Sequence, residues 1–153
     1  MSLEDLYQDL ILDHGTKPRN FKNLEHFSHE AEGFNPLCGD KVSLKLQVNS
    51  NDQIQAACFQ GAGCAISMAA ASLMTEFLKN KTIQEAQAQF EFFQAWILCP
   101  ESSNNQNNTE VQETKTRLGK LEALSGVKKF PARVKCATLA WHTLAQALKN
   151  AKS

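Results

Sequence analysis

The sequence predicts an α+β fold in which helices pack on one face of a small antiparallel sheet. Three observations carry this expectation. Val42, Leu44, Leu46 and Val48 alternate with Ser43, Lys45 and Gln47, the period-two pattern of a half-buried strand. Asn49-Ser50-Asn51-Asp52 is turn chemistry, and Ile54, Ala56 and Cys58 resume the alternation on a return strand. On both sides of this hairpin, apolar residues recur at i, i+3, i+4 and i+7, the spacing of helices. A sheet segregated from its helices along the chain is an α+β layout.

The elements follow in order. Ser2 is placed to cap a first helix, with Glu4 and Asp5 where negative charge suits the helix dipole. Leu3, Leu6, Tyr7, Leu10, Ile11 and His14 form its buried face, and Gly15 and Pro18 end it. Residues 16–34 have no clear period and read as a surface connection, with a third strand available around Glu30. After the hairpin, the GAGC loop at 61–64 leads into a helix with Ile66, Ala69, Ala70, Leu73, Met74 and Phe77 on its buried face. Thr82 and Glu85 form a capping box for the next helix, whose face is Ile83, Ala86, Phe90, Phe93 and Ile97. Pro100 ends it. The asparagine-rich stretch that follows has too little apolar surface to order itself, so residues 99–117 are expected to form a mobile insertion loop. Leu118, Leu121 and Leu124 suggest a short helix. Pro131 sits where a final helix can start, and Val134, Ala137, Trp141, Leu144 and Leu148 are its stripe.

A chain of 153 residues suits one domain, 1–153, and can bury a core without staples. Sixteen basic and sixteen acidic residues cancel, which disfavours nucleic acid and anionic membranes as partners. No apolar run is long enough to span a bilayer, and the acidic, amphipathic start does not read as a signal peptide, so a cytoplasmic protein is expected.

Five cysteines occur, Cys38, Cys58, Cys64, Cys99 and Cys136, an odd and widely spaced set. A reducing compartment disfavours disulfides among them. Three lie at structural corners. Cys38 is in a loop before a strand, Cys64 lies between a strand and a helix, and Cys136 lies near the start of the last helix. Helix N-termini favour the thiolate, the form that binds metal or attacks sulfur. Spacing alone leaves the bland reading open, in which these are small hydrophobes packed inside.

The stretches NPLCGD (35–40), GAGCAIS (61–67) and SGVKKFPARVKCATLAW (125–141) resemble the signatures of SufU/IscU-type iron–sulfur cluster assembly proteins. LYQDLILDHGTKPRNF resembles the same family's opening helix and loop. The resemblance covers nearly the whole chain apart from about 90–118. It implies a SufE/IscU-like α+β domain with a three-stranded sheet, in which Cys38, Cys64 and Cys136 converge at one exposed end.

Scaffold-type members of the family carry a histidine immediately before the third cysteine. Here that residue is Lys135, whose ammonium has no lone pair. Asp40 is then the nearest candidate for a fourth ligand, and carboxylate oxygen is an acceptable zinc donor. FPARVKC stands where scaffold-type members carry a proline-rich chaperone motif, and extra residues precede it; both features resemble the SufU branch. The resemblance implies zinc held by Cys38, Asp40, Cys64 and Cys136, with Cys38 accepting persulfide sulfur from a SufS-like, pyridoxal-phosphate-dependent cysteine desulfurase. Downstream scaffolds or apo-proteins would receive it. The alternative within the family is a scaffold that assembles a [2Fe–2S] cluster on the same thiols. Arg133, three residues before Cys136, shares its helix face and is expected to pair with Asp40 during ligand exchange.

Other residues are read as structural. Cys58 is expected on the apolar strand face with Ile54 and Ala56, and His14 as a packed residue. Cys99, His26, His29 and His142 carry no motif, and the Phe90–Phe93–Trp96–Ile97 cluster reads as core or interface. A free-standing cysteine hydrolase using Cys64 or Cys136 with His14 lacks a recognisable nucleophile motif. A purely structural zinc domain would be excluded by stimulation of a desulfurase.

Overall fold

A computed structural model describes residues 3–99 and 108–150, with side chains from 4–99 and 112–150. The elements are α1 (Leu3–Thr16), β1 (His29–Asn35), β2 (Asp40–Val48), β3 (Ile54–Ala62), α2 (Ala65–Leu78), α3 (Ile83–Leu98), α4 (Asn108–Leu118), a run of 3-10 turns (Gly119–Lys129) and α5 (Pro131–Lys149). The three strands form one antiparallel sheet in the order β1-β2-β3. Helix α5 packs on β1 and β2, α2 packs on β3 and α5, and α1 packs on α2.

The alternation in β2 sets the layers. Val42, Leu44 and Leu46 are fully buried against the helices, while Lys41 on the opposite face is exposed. Trp141 of α5 is the largest buried side chain. Its ring stacks on Phe93 at a centroid distance of 5.7 Å and meets Phe77 at 6.2 Å. The predicted capping box forms, with Thr82 Oγ1 accepting from Glu85 N–H and Glu85 Oε1 accepting from Thr82 N–H.

The structure departs from the sequence expectation in three places. Helix α1 continues through Gly15 to Thr16, and Leu6, placed on its buried face, is exposed; the Ser2 cap lies outside the described residues. The third strand stands where it is expected, around Glu30, as the seven-residue β1, which turns directly into β2. A register shift at Gln47/Val48 breaks the phase of β3. Ile54 opposes Val48 on the helix side, but Ala57 and Phe59 then take that side, and Cys58 opposes Lys45 on the other. One extra residue in a strand has this effect, because side chains alternate with period two. Cys58 is buried all the same, since the connection after α1 crosses that face; there Lys45 Nζ donates to Asn23 Oδ1 at 2.8 Å. Burial pushes its thiol pKa up, as befits an inert packed cysteine. Finally, α4 forms from Asn108 onward, where a loop over 99–117 is expected; residues 100–107 lie outside the described residues.

His14 is a buried residue with a network. Ser72 Oγ accepts from Arg19 N–H at 2.8 Å and lies 2.7 Å from His14 Nδ1. A proton donated from Ser72 to Nδ1 leaves Nε2–H aimed at Glu76 Oε1, 3.6 Å away. Burial, then the Arg19 charge, lowers the His14 pKa. The neutral form therefore belongs to the folded state. Its contribution is fully present above the ordinary histidine pKa of about 6.5 and is lost as pH falls below it.

Two outcomes follow from this packing. The melting temperature falls between pH 7 and pH 5.5, and falls less in His14→Gln; equal slopes in thermal melts of both proteins would remove His14 from the account. A Cβ on Gly33 would collide with Thr143 Oγ1, which is itself bonded to Leu139 O. Gly33→Ala should cost about 1–3 kcal/mol as overpacking, read by chemical denaturation.

Candidate functional site

The hairpin between β1 and β2 is the NPLCGD stretch. Asn35 and Asp40 are its paired ends, and residues 36–39 are the loop. Gly39 N–H closes the turn on Asn35 O at 2.8 Å, and Leu37 N–H donates to Asn35 Oδ1 at 3.2 Å. Gly39 adopts φ +72°, the left-handed region that glycine enters without strain. The tip, with Leu37 and Cys38, is exposed, whereas the ends are buried.

Asp40 is at the centre of the site. It is 0% exposed, on the helix-facing side of β2. Oδ1 accepts the Cys64 N–H at 3.0 Å, and Oδ2 accepts Asn35 Nδ2 at 3.3 Å. The β3–α2 turn comes this close because residue 63 is glycine; a Cβ there would lie 2.5 Å from Asp40 Oδ1. Cys64 is the N-cap residue of α2 with extended backbone, and its own side chain makes no capping bond.

Cys136 enters from α5. Its thiol is buried and donates to Cys38 Sγ at 3.4 Å, and Asn35 Nδ2 lies 3.8 Å from its sulfur. Position six of a helix is beyond the reach of the dipole. Burial instead raises the Cys136 pKa well above the ordinary thiol range, helped by hydrogen bonds to Asp40, Cys38 and Cys64. A helix start that favours the thiolate is therefore absent at Cys136.

Cys38, Asp40 and Cys136 offer ligand atoms that all lie within 4.8 Å of one another. The donor set fits zinc. Two thiolates on a tetrahedral Zn²⁺ with Zn–S of about 2.3 Å sit roughly 3.8 Å apart, near the observed thiol separation. Cys64 is the expected ligand that stays outside this group. It touches the site through its N–H on Asp40 and its thiol beside Cys136.

Arg133 does not meet its expected partner. Among the described residues no Arg133–Asp40 ion pair forms, because Asp40 is buried while Arg133 is exposed on the first turn of α5. The guanidinium instead faces Cys64, Cys136 and Cys38, which raise its already high pKa. Asn35 and Gly63 are site residues that motif reading passed over. Asn35 carries a readable signal, since it stands five residues before Asp40 at the opposite end of a tight hairpin. Cys99 is exposed at the C-terminal end of α3, in line with its lack of a motif.

Comparison with known proteins identifies the family. Residues 6–137 match the family model of the NifU-like N terminal domain. The zinc-dependent sulfurtransferase SufU of Bacillus subtilis (strain 168) is 40% identical over 143 residues, covering 94% of this chain and 89% of the relative. The iron–sulfur cluster assembly scaffold protein IscU of Streptococcus pyogenes serotype M1 is 36% identical over 148 residues, covering 97% and 86%. A crystal structure of a candidate iron–sulfur cluster assembly scaffold for the SUF system of Fervidobacterium islandicum AW-1 superposes with a TM-score of 0.80 at 31% identity, covering 96% of this chain and 99% of that one. Since the family model spans every site residue from Cys38 to Cys136, the chain belongs to the NifU-like N-terminal domain family.

Proposed function

We propose that the protein serves iron–sulfur cluster assembly as a zinc-binding acceptor of persulfide sulfur from a cysteine desulfurase. The observation that carries this reading is one exposed thiol, Cys38, grouped with a buried thiol and a buried carboxylate within 4.8 Å. Cys38, Asp40 and Cys136 would hold zinc, with Cys64 completing the set after a small side-chain movement. Bound zinc would keep the thiols ionised and add no redox chemistry of its own.

The transfer uses the chain's own groups. Cys38 thiolate attacks the terminal sulfur of the desulfurase persulfide. A new S–S bond forms on Cys38, the old one breaks, and the desulfurase cysteine leaves as thiolate. With zinc bound, Cys38 would have to be freed from it before attack, and its place on an exposed hairpin tip suits that role. Arg133, beside all three thiols, offsets the negative charge of the Cys38 persulfide. A SufS-like desulfurase is the proposed donor, and scaffolds or apo-proteins are the recipients. Five free cysteines suit a reducing compartment, the cytoplasm. No described helix is long and apolar enough to cross a membrane.

The name of the Streptococcus pyogenes relative favours a second reading, a scaffold on which a [2Fe–2S] cluster is built and then handed on. Metal analysis of the native protein separates the two. Zinc without sulfide supports the acceptor; iron with inorganic sulfide and visible absorption supports the scaffold.

The deciding experiment is a desulfurase assay with metal content measured on each protein. Wild type stimulates sulfide production and Cys38→Ala does not; equal stimulation by the variant would sink Cys38 as acceptor. Arg133→Ala should lower stimulation with zinc still bound, and Arg133→Lys should recover part of it. Gly63→Ala forces Asp40 aside and should weaken zinc binding by about 10–100-fold, measured by competition with a chromogenic chelator. Chelation should lower the melting temperature yet leave the helical circular dichroism, because the apolar core around Trp141 is built without Cys38, Asp40, Cys64 or Cys136; collapse of that signal would mean that the metal holds the fold.

A further inference from the structure

We propose that, when the metal has left, Cys38 and Cys136 close an intramolecular disulfide under hydroperoxide, locking the site reversibly. The two sulfurs already lie 3.4 Å apart although 98 residues separate them in sequence. A disulfide needs about 2.05 Å, so closure asks for a movement of roughly 1.4 Å. The mobile partner is identifiable. Cys38 rides an exposed turn, and a Cβ built on neighbouring Gly39 finds nothing within 4 Å. Cys136 is fixed in α5 with no exposed surface.

That asymmetry orders the chemistry. The exposed Cys38 thiolate meets the oxidant first. It attacks a peroxide oxygen, the O–O bond breaks, and Cys38 becomes sulfenic acid as the other oxygen leaves and takes up a proton to form water (or an alcohol from an organic hydroperoxide). Cys136 sulfur then attacks Cys38 sulfur. The S–O bond breaks, the hydroxyl leaves, and with the proton released from Cys136 it forms water. Two thiols lose two electrons and two protons, and one peroxide is reduced. Burial shields Cys136 from direct oxidation, so it acts as the resolving thiol, and its proximity intercepts the sulfenic acid before it climbs to the irreversible sulfinic form. Cys64 borders Cys136 too but lies outside the group within 4.8 Å, so Cys38 closes the link and Cys64 stays a thiol. The regulatory meaning, a sulfur acceptor switched off while its desulfurase is under oxidative stress, rests on the function proposed above. The disulfide itself does not.

The test uses full-length protein stripped of metal and treated with equimolar hydrogen peroxide. Intact mass and a non-reducing peptide map should show one Cys38–Cys136 link, Cys64 still open to alkylation, and full return to thiols with dithiothreitol. The oxidised protein should lose zinc uptake, read with a chromogenic chelator, and regain it on reduction. Cys64→Ser should form the same link, and Cys136→Ser should instead hold Cys38 as sulfenic acid, which a second equivalent of peroxide converts to sulfinic acid. A link through Cys64, or sulfinic acid on Cys38 in the wild type, overturns the proposal. The mass readout is independent of desulfurase activity, so failure of the acceptor role and failure of the disulfide are told apart.

Discussion

The buried carboxylate of Asp40 is the constraint on which the site depends. A charge with no exposed surface is costly unless hydrogen-bonded or paired with a cation. Two donors are built in, the Cys64 N–H and the Asn35 amide. They come from the β3–α2 turn and from the far end of the β1–β2 hairpin. One side chain therefore ties together the two loops that carry Cys38 and Cys64. Cys136 reaches the same point from α5, where burial disfavours its thiolate. Both groups have a reason to gain from a cation. Architecture and chemistry meet here, since the arrangement that makes the loops converge also groups the donors Cys38, Asp40 and Cys136.

The rest of the fold serves to hold these parts in place. Helix α5 can lie close on β1 because residue 33 is glycine, and the β3–α2 turn can lie close on Asp40 because residue 63 is glycine. The aromatic stack of Phe93 on Trp141 fixes α5 from behind. Cys136 thus stands on a rigid element, Asp40 on a strand, and Cys38 on a turn with open space around it. An exchange centre needs this combination. The candidate ligands Asp40 and Cys136 sit on the scaffold, and the group proposed to carry sulfur sits on an exposed turn.

Much of this was legible in the sequence, for reasons that can be named. The hairpin, the α3 capping box and the start of α5 at Pro131 are local signals written in a few adjacent residues, and they stand in the structure. The convergence of Cys38 with Cys136 was legible only through the motif resemblance, because no local pattern relates residues so far apart. What failed to show was tertiary. The bulge in β3 turns on one extra residue, and it moved Cys58 to the opposite face from Ile54. The ordering of α4 from Asn108 depends on its neighbours, not on its own polar composition. Arg133 and Asp40 looked like partners by charge and spacing. Burial separated them, because Asp40 found neutral donors inside while Arg133 remained outside against the thiols.

The central claim is that sulfur lands on Cys38. Its most direct measurement is trapping of the persulfide. The zinc-loaded protein is incubated with its desulfurase and cysteine, quenched with an alkylating agent and mapped by peptide mass. The account predicts one added sulfur on Cys38, with Cys64 and Cys136 unmodified. Sulfur found first on Cys64 or Cys136, or on none of the three while sulfide production is still stimulated, would contradict it.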